Sequence, residues 1–306
     1  MHLTRDGLCF STGDGMTCYD WGTTAVLGTV ALAAVALALV PLLVGGRRTA
    51  TPTQAAGRAA RHATAGSAAG ALLLVVVLLA FAAATLLTNS TAGRDGRVLA
   101  ALPAVAGLCL AVAHAVAQVT WPRPTGARRE ADLARRGFGD VLPARGVRLL
   151  LAWTVGLAVA LPAFVLRADG PRSVTGTGGG GGAELGPYPG SYYATPLGVA
   201  VAVLVLATGL TLQLVVLRPA VAGVSPAWDL HLRRRSARHL VAGAQLALAA
   251  SLAAVLALAG TTHRAAGDAL LGVTLLAGSA AVTAVSLAAP LPRARPLSAR
   301  TTPVLP

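Results

Sequence analysis

Arg218 to Leu240 reads RPAVAGVSPAWDLHLRRRSARHL, a short basic segment that runs without a break into a long apolar one. Ser225 is placed to cap a helix whose first position is Pro226, where a missing N–H costs nothing, and Asp229 lies near the positive end of the helix dipole. No breaker separates Arg235 from His239, so the helix is expected to continue into the apolar run. An earlier stretch echoes this one. From Arg123, RPTGARREADLARRG also follows an apolar run, opens on Arg-Pro and carries Asp-Leu just ahead of arginines. There Thr125 is the candidate cap, Glu130 and Asp132 lie toward the helix start, Arg135 and Arg136 at its end, and Gly137 is the stop. Each stretch has the form of a cytoplasmic elbow between two membrane helices. Their similarity suggests a duplicated unit of helix, elbow and helix; the simpler account is that any inner loop needs arginines and a capping acid.

Working outward, the chain of 306 residues is 55% hydrophobic with mean hydropathy +0.68. A soluble domain has about 45–50% apolar residues, so this composition points to a membrane protein. Seven apolar runs, 23–45, 65–87, 98–120, 148–166, 196–217, 239–260 and 269–290, are each near the length a helix needs to cross a bilayer. That length is about 20 residues for about 30 Å of hydrocarbon. The runs are continuous rather than alternating, which indicates helices and excludes a barrel. The expected fold is an all-α transmembrane bundle of seven helices (23–290), preceded by an extracytoplasmic segment (1–22) and followed by a cytoplasmic basic tail (291–306).

Charge gives the orientation. Residues 1–22 have none of the regions of a cleaved signal peptide and are net negative, with Arg5 outnumbered by Asp6, Asp14 and Asp20. Arg47 and Arg48 follow the first apolar run, so the N-terminus is expected outside and the C-terminus, with Arg293, Arg295 and Arg300, inside. With loops alternating sides, the inner ones hold 19 arginines and four acids, and the outer ones six arginines and seven acids. This segregation accounts for the net charge of +14 as positive-inside bias and argues against a nucleic-acid-binding surface. All 25 basic residues are arginine, so a retinal-type Schiff base, which needs a lysine, is excluded.

On the outer side, a two-residue turn at Gly13-Asp14 would set Cys9 opposite Cys18, a candidate disulfide in an oxidising exterior. Cys109 falls in an apolar helix as a small core residue. The short connections Thr88 to Arg97 and Thr261 to Asp268 make the helices they join antiparallel neighbours. The long connection Arg167 to Thr195, with glycines from Gly178 to Gly182, is expected to be a flexible linker, and Tyr188, Tyr192 and Tyr193 to be interfacial anchors. Asn89-Ser90-Thr91 matches a short glycosylation sequon.

Reaction signatures are missing. All eleven acids fall in loops or at helix edges, which disfavours carboxylate-coupled transport. No histidine pair has helical metal-ligand spacing, and neither a Cys-x-x-Cys nor a nucleophile elbow is present. No cofactor is expected. Two groups of residues are candidates for function. His114 and Gln118 share a helix face and lie at a depth similar to that of Gln213 and Gln245. These four form a candidate polar layer in the inner half, either as hydrogen-bonding glue between helices or as the lining of a small cavity. The second group is a cytoplasmic docking or lipid-contact surface made of Trp228, Asp229, Arg233, Arg234 and Arg235 with Glu130, Asp132, Arg135 and Arg136. The leading expectation is a non-catalytic multi-pass protein of the cytoplasmic membrane, acting through its basic elbows on a cytoplasmic protein partner or anionic lipid. The alternative is a permease or a membrane subunit of a transporter, and an intramembrane enzyme is a distant third.

Overall fold

A computed structural model describes residues 2–3, 7–12, 15–20, 53–87, 96–122, 138–176, 184–221 and 223–288, with side chains from residue 53 onward except at 75, 78–87, 96, 99 and 138. The chain is dominated by helices: α1 (Gln54–Leu87), α2 (Gly96–Val119), the single-turn α3 (Phe138–Val141), α4 (Ala144–Arg167), α5 (Ser191–Leu217), α6 (Pro226–Ala265) and α7 (Ala269–Ala288). Within the described residues five helices, α2 and α4 to α7, are long and apolar enough to cross a membrane. The first expected span, 23–45, lies outside the described residues. The second falls within α1, which begins at Gln54 rather than at 65.

The helices alternate in direction. Gly66 and Gly70 of α1 meet Ala117 and Ala113 of α2, so these two run antiparallel, as their short connection requires. Along α2 and α5 the contacts advance together, Gly107 with Leu204, Ala111 with Thr211 and Gln118 with Arg218, so these helices are parallel. In the same way α4 follows α6, with Gly146 on Val241, Trp153 on Gln245 and Gly156 on Leu252. Helix α7 returns antiparallel to α6 through a tight turn at Ala266 to Asp268, where Gly267 takes φ 91°. Consequently α1, α4 and α6 begin at one end of the bundle, where α2 and α5 finish.

Helix α6 is the axis. It runs for 40 residues, about 60 Å at 1.5 Å per residue and twice the hydrocarbon thickness. Ser225 caps it by accepting from the Trp228 N–H, Pro226 opens it, and it continues unbroken through Arg235 and His239, as the elbow sequence requires. Leu240, Val241, Ala244, Ala247, Leu248 and Ala253 are wholly buried beneath α1, α2, α4, α5 and α7. The outward faces of the surrounding helices carry exposed Leu151, Val159, Leu206, Leu210, Leu270 and Val273. A soluble protein would hide so continuous an apolar belt, whereas lipid tails are its natural solvent.

Two segments outside the long helices have local structure. In the N-terminal hairpin β1 (His2–Leu3) pairs with β2 (Gly7–Thr12), which pairs with β3 (Gly15–Asp20) in a register that sets Cys9 opposite Cys18. The cysteine side chains lie outside the described set. The connection after α4 is more than a linker: β4 (Val174–Thr175) pairs with β5 (Glu184–Leu185), and the Thr175 N–H donates to Asp169 Oδ2 at 2.7 Å. Residues 88–95, which hold the sequon, are not among those described.

Candidate functional site

The end at which α2 and α5 finish collects the basic residues. Helix α5 stops at Leu217 because Pro219 cannot continue it, and the chain turns through Gly223, at φ 69°, before Ser225 starts α6. A helix C-terminus leaves its last carbonyls without partners. Arg233 supplies them. Its Nη1 donates to the carbonyls of Val215 and Val216 at 2.9 and 2.7 Å, and its Nη2 to that of Arg218 at 2.7 Å. Its Nε donates to Asp229 Oδ2, also at 2.7 Å. The guanidinium is fully buried, Asp229 is 2% exposed and Trp228 9%.

This overturns part of the docking expectation. Trp228, Asp229 and Arg233 are internal and cannot meet a partner. The sequence signal for this was present: an aspartate four residues before an arginine on a capped helix forms a pair that can turn inward. Arg234 is exposed and donates from Nε to the Asp140 carbonyl at 2.6 Å, fastening α3 to α6, while Arg235 is half-buried. Glu130, Asp132, Arg135 and Arg136 lie outside the described residues, so the first elbow cannot be compared with the second. Arg58, Arg61, Arg145 and Arg148 are exposed in the first turns of α1 and α4 and complete the basic rim.

Arg218 stands apart from these. It is 5% exposed, with its Cζ 3.8 Å from the centroid of the Trp121 ring and its Nη1 3.4 Å from Gln118 Oε1. Its Nε and Nη2, together with the indole N–H groups of Trp121 and Trp228, are buried without a hydrogen-bond partner. Burial first, then the Arg233 charge, lowers its pKa to about 9, which still leaves it cationic at neutral pH. The role of Arg218 was missed at the level of sequence. The available signal was its position directly after an apolar run and before a proline, matching Trp121 before Pro122.

The candidate polar layer is only partly assembled. His114, Gln118 and Gln245 are buried, and Gln245 Oε1 accepts from Trp153 Nε1 at 3.2 Å. Gln213 is exposed on the outward face of α5 and does not join them. Its rotation about the helix keeps it apart: Leu204, Thr208, Thr211 and Val215 form the buried face, and Gln213 points nearly opposite. Instead His239 enters the layer. Its Nδ1 lies 3.0 Å from Ser67 Oγ, and since the Ser67 hydroxyl donates to the Ala63 carbonyl, His239 carries its proton on Nδ1.

At the opposite end Tyr188 is fully buried against Phe164 and His263, with its hydroxyl 3.3 Å from His263 Nε2. Thr262 Oγ1 donates to the Pro187 carbonyl at 2.7 Å. Tyr188 is thus an internal latch for the connection between α4 and α5. Tyr192 and Tyr193 are half-buried, and Arg97 covers the Tyr192 ring at 4.0 Å. Among the described residues no group of three His, Cys, Asp or Glu side chains could hold a metal ion.

The chain matches no protein-family model, no curated protein and no solved structure.

Proposed function

We propose that this chain is a non-catalytic integral membrane protein of seven spans, oriented with its arginine-rich end in the cytoplasm, that works by holding anionic groups at that end. The observation that carries the reading is the segregation of exposed charge. Arg58, Arg61, Arg145, Arg148 and Arg234 ring one end of the bundle beside the single described exposed acid Asp140, whereas the other end mixes Arg97, Arg167, Arg172 and Arg264 with Asp169, Glu184 and Asp268. Positive charge flanking apolar helices is retained on the cytoplasmic side, where it meets anionic headgroups at about 1 kcal/mol per arginine. In this orientation the N-terminal hairpin is outside. Its register sets Cys9 directly opposite Cys18, the placement a cross-strand disulfide needs.

The test is mass spectrometry of the tagged chain extracted from its host in mild detergent. Recovery with anionic lipid alone supports the reading. A stoichiometric soluble ATPase would instead make the chain a permease subunit, and extraction without detergent would overturn membrane insertion itself. Replacement of Arg234 and Arg235 by glutamine should reduce the anionic lipid retained while the fold persists.

A further inference from the structure

We propose that Arg218, with Trp121 and Trp228, forms a specific site for a phosphate group at the basic end of the bundle. This rests on the membrane reading above and assigns to one buried residue what the exposed rim does only loosely. A buried cation needs a counter-charge, because an uncompensated ion in a low-dielectric interior is costly. Asp229 meets that need only in part: its charge favours the Arg218 cation, but its Oδ2 is bonded to Arg233, which is itself held by three carbonyls. Among the described residues no carboxylate forms an ion pair with Arg218.

The free donors have the right geometry for an oxyanion. Nε and Nη2 form one edge of the guanidinium plane, and their two N–H bonds point the same way, the fork that meets two oxygens of a phosphate. Nη1, on the other edge, is directed to Gln118. The guanidinium carbon sits 3.8 Å from the Trp121 ring centroid, and this contact holds the buried side chain in place, so little of its freedom is lost on binding. The hydrogen bond from Arg233 to the Arg218 carbonyl pins the backbone at the same point. Trp228 packs in one apolar cluster with Trp121, and each indole offers a further uncharged donor without a partner. Two unpartnered donors on one cation, with an unpartnered indole N–H on each of two neighbouring tryptophans, describe a site for an anion.

The phosphate can come from a lipid headgroup or from solution. Arg218 follows the last residue of α5, and Trp121 lies two residues beyond α2, the level at which headgroup phosphates sit.

The experiment measures thermal unfolding of the full chain in a nonionic detergent, followed by circular dichroism. Probes are inorganic phosphate, dioctanoylphosphatidylglycerol, and as controls dioctanoylglycerol and chloride at matched ionic strength. The expected result is a rise in midpoint of about 3 °C or more with a phosphate-bearing probe and none with the controls. Arg218→Gln should abolish the shift, while Arg172→Gln, exposed at the opposite end of the bundle, keeps it. If the lipid alone acts, the site takes a headgroup; if inorganic phosphate suffices, it takes a soluble phosphate. A shift that survives in R218Q, or no shift in the wild type with either phosphate, overturns the proposal. Should R218Q fail to fold, Trp121→Phe and Trp228→Phe keep the rings and remove the donors. Both are expected to weaken binding at least tenfold, and unchanged binding in the two would equally overturn the site.

Discussion

Arg233 and Asp229, one turn apart on α6, form a wholly buried ion pair with 2.7 Å between Nε and Oδ2, and the rest of the guanidinium closes the end of α5. The elbow is therefore a joint. It ties the end of one helix to the start of the next across the turn at Pro219 to Ser225, and its charge is largely consumed in doing so.

Arg233→Gln should cost about 3–5 kcal/mol, because it strands a buried carboxylate as well as three carbonyls. Adding Asp229→Asn removes the stranded charge, so the double variant is expected to be no less stable than R233Q alone. Arg234→Gln, at an exposed position, should cost less than about 1 kcal/mol. Thermal unfolding in detergent distinguishes these cases, and simple additivity of the two single losses would show that the pair is not coupled.

This joint also shows what could be read from the chain alone. Ser225, Pro226 and the unbroken course of α6 follow from local rules of capping and propensity, and the Cys9–Cys18 register from the length of a turn. Whether an arginine faces lipid, water or the protein depends on which carbonyls a neighbouring helix leaves open, and that is tertiary information. The long apolar helices were legible because they follow from counting along a run. The rotation of Gln213 away from the bundle was harder to see, because α5 is apolar on every face and its buried side has no hydrophobic contrast. Tyr188 could not be placed because its partner His263 lies 75 residues away.

The polar layer separates cleanly by substitution. Gln245→Leu removes the acceptor for the Trp153 indole and leaves a buried N–H without a partner. The expected cost is about 0.6–2 kcal/mol, the range for hydrogen bonds between membrane helices. Gln213→Leu, on the exposed face, should leave the unfolding midpoint unchanged or raised. A larger loss in Q213L than in Q245L would contradict the placement of both side chains.

Tyr188 should make stability depend on pH in the alkaline range. Burial, partly offset by Arg167, raises its pKa above the ordinary value of 10.0. A group that holds its proton more tightly when folded contributes fully below its unfolded pKa, and that contribution is lost as pH rises through the folded one. Stability is thus expected to be level up to pH 10 and to fall above it. Tyr188→Phe should flatten that decline. Y188F should also free the connection between α4 and α5, which hydrogen exchange at residues 168–190 would detect; an unaltered alkaline profile with unaltered exchange would refute the latch.

Glycine at the crossing of α6 and α7 is required by contact. A Cβ on Gly272 would strike the Arg264 side chain and come to 2.7 Å from the Gly260 carbonyl, and one on Gly260 would come to 2.9 Å from the Gly272 carbonyl. Backbone cannot yield as a side chain can, so Gly272→Ala must push the helices apart, at about 1–3 kcal/mol. Gly209 on α5 has nothing within 4 Å of the same position. There Gly209→Ala should instead stabilise by about 0.5–1 kcal/mol, because it removes only the conformational freedom of an unfolded glycine. The opposite signs are the point of the measurement, since both changes add one methyl group to a membrane helix. If thermal unfolding ranks the two variants equally, α6 and α7 do not cross at Gly260 and Gly272.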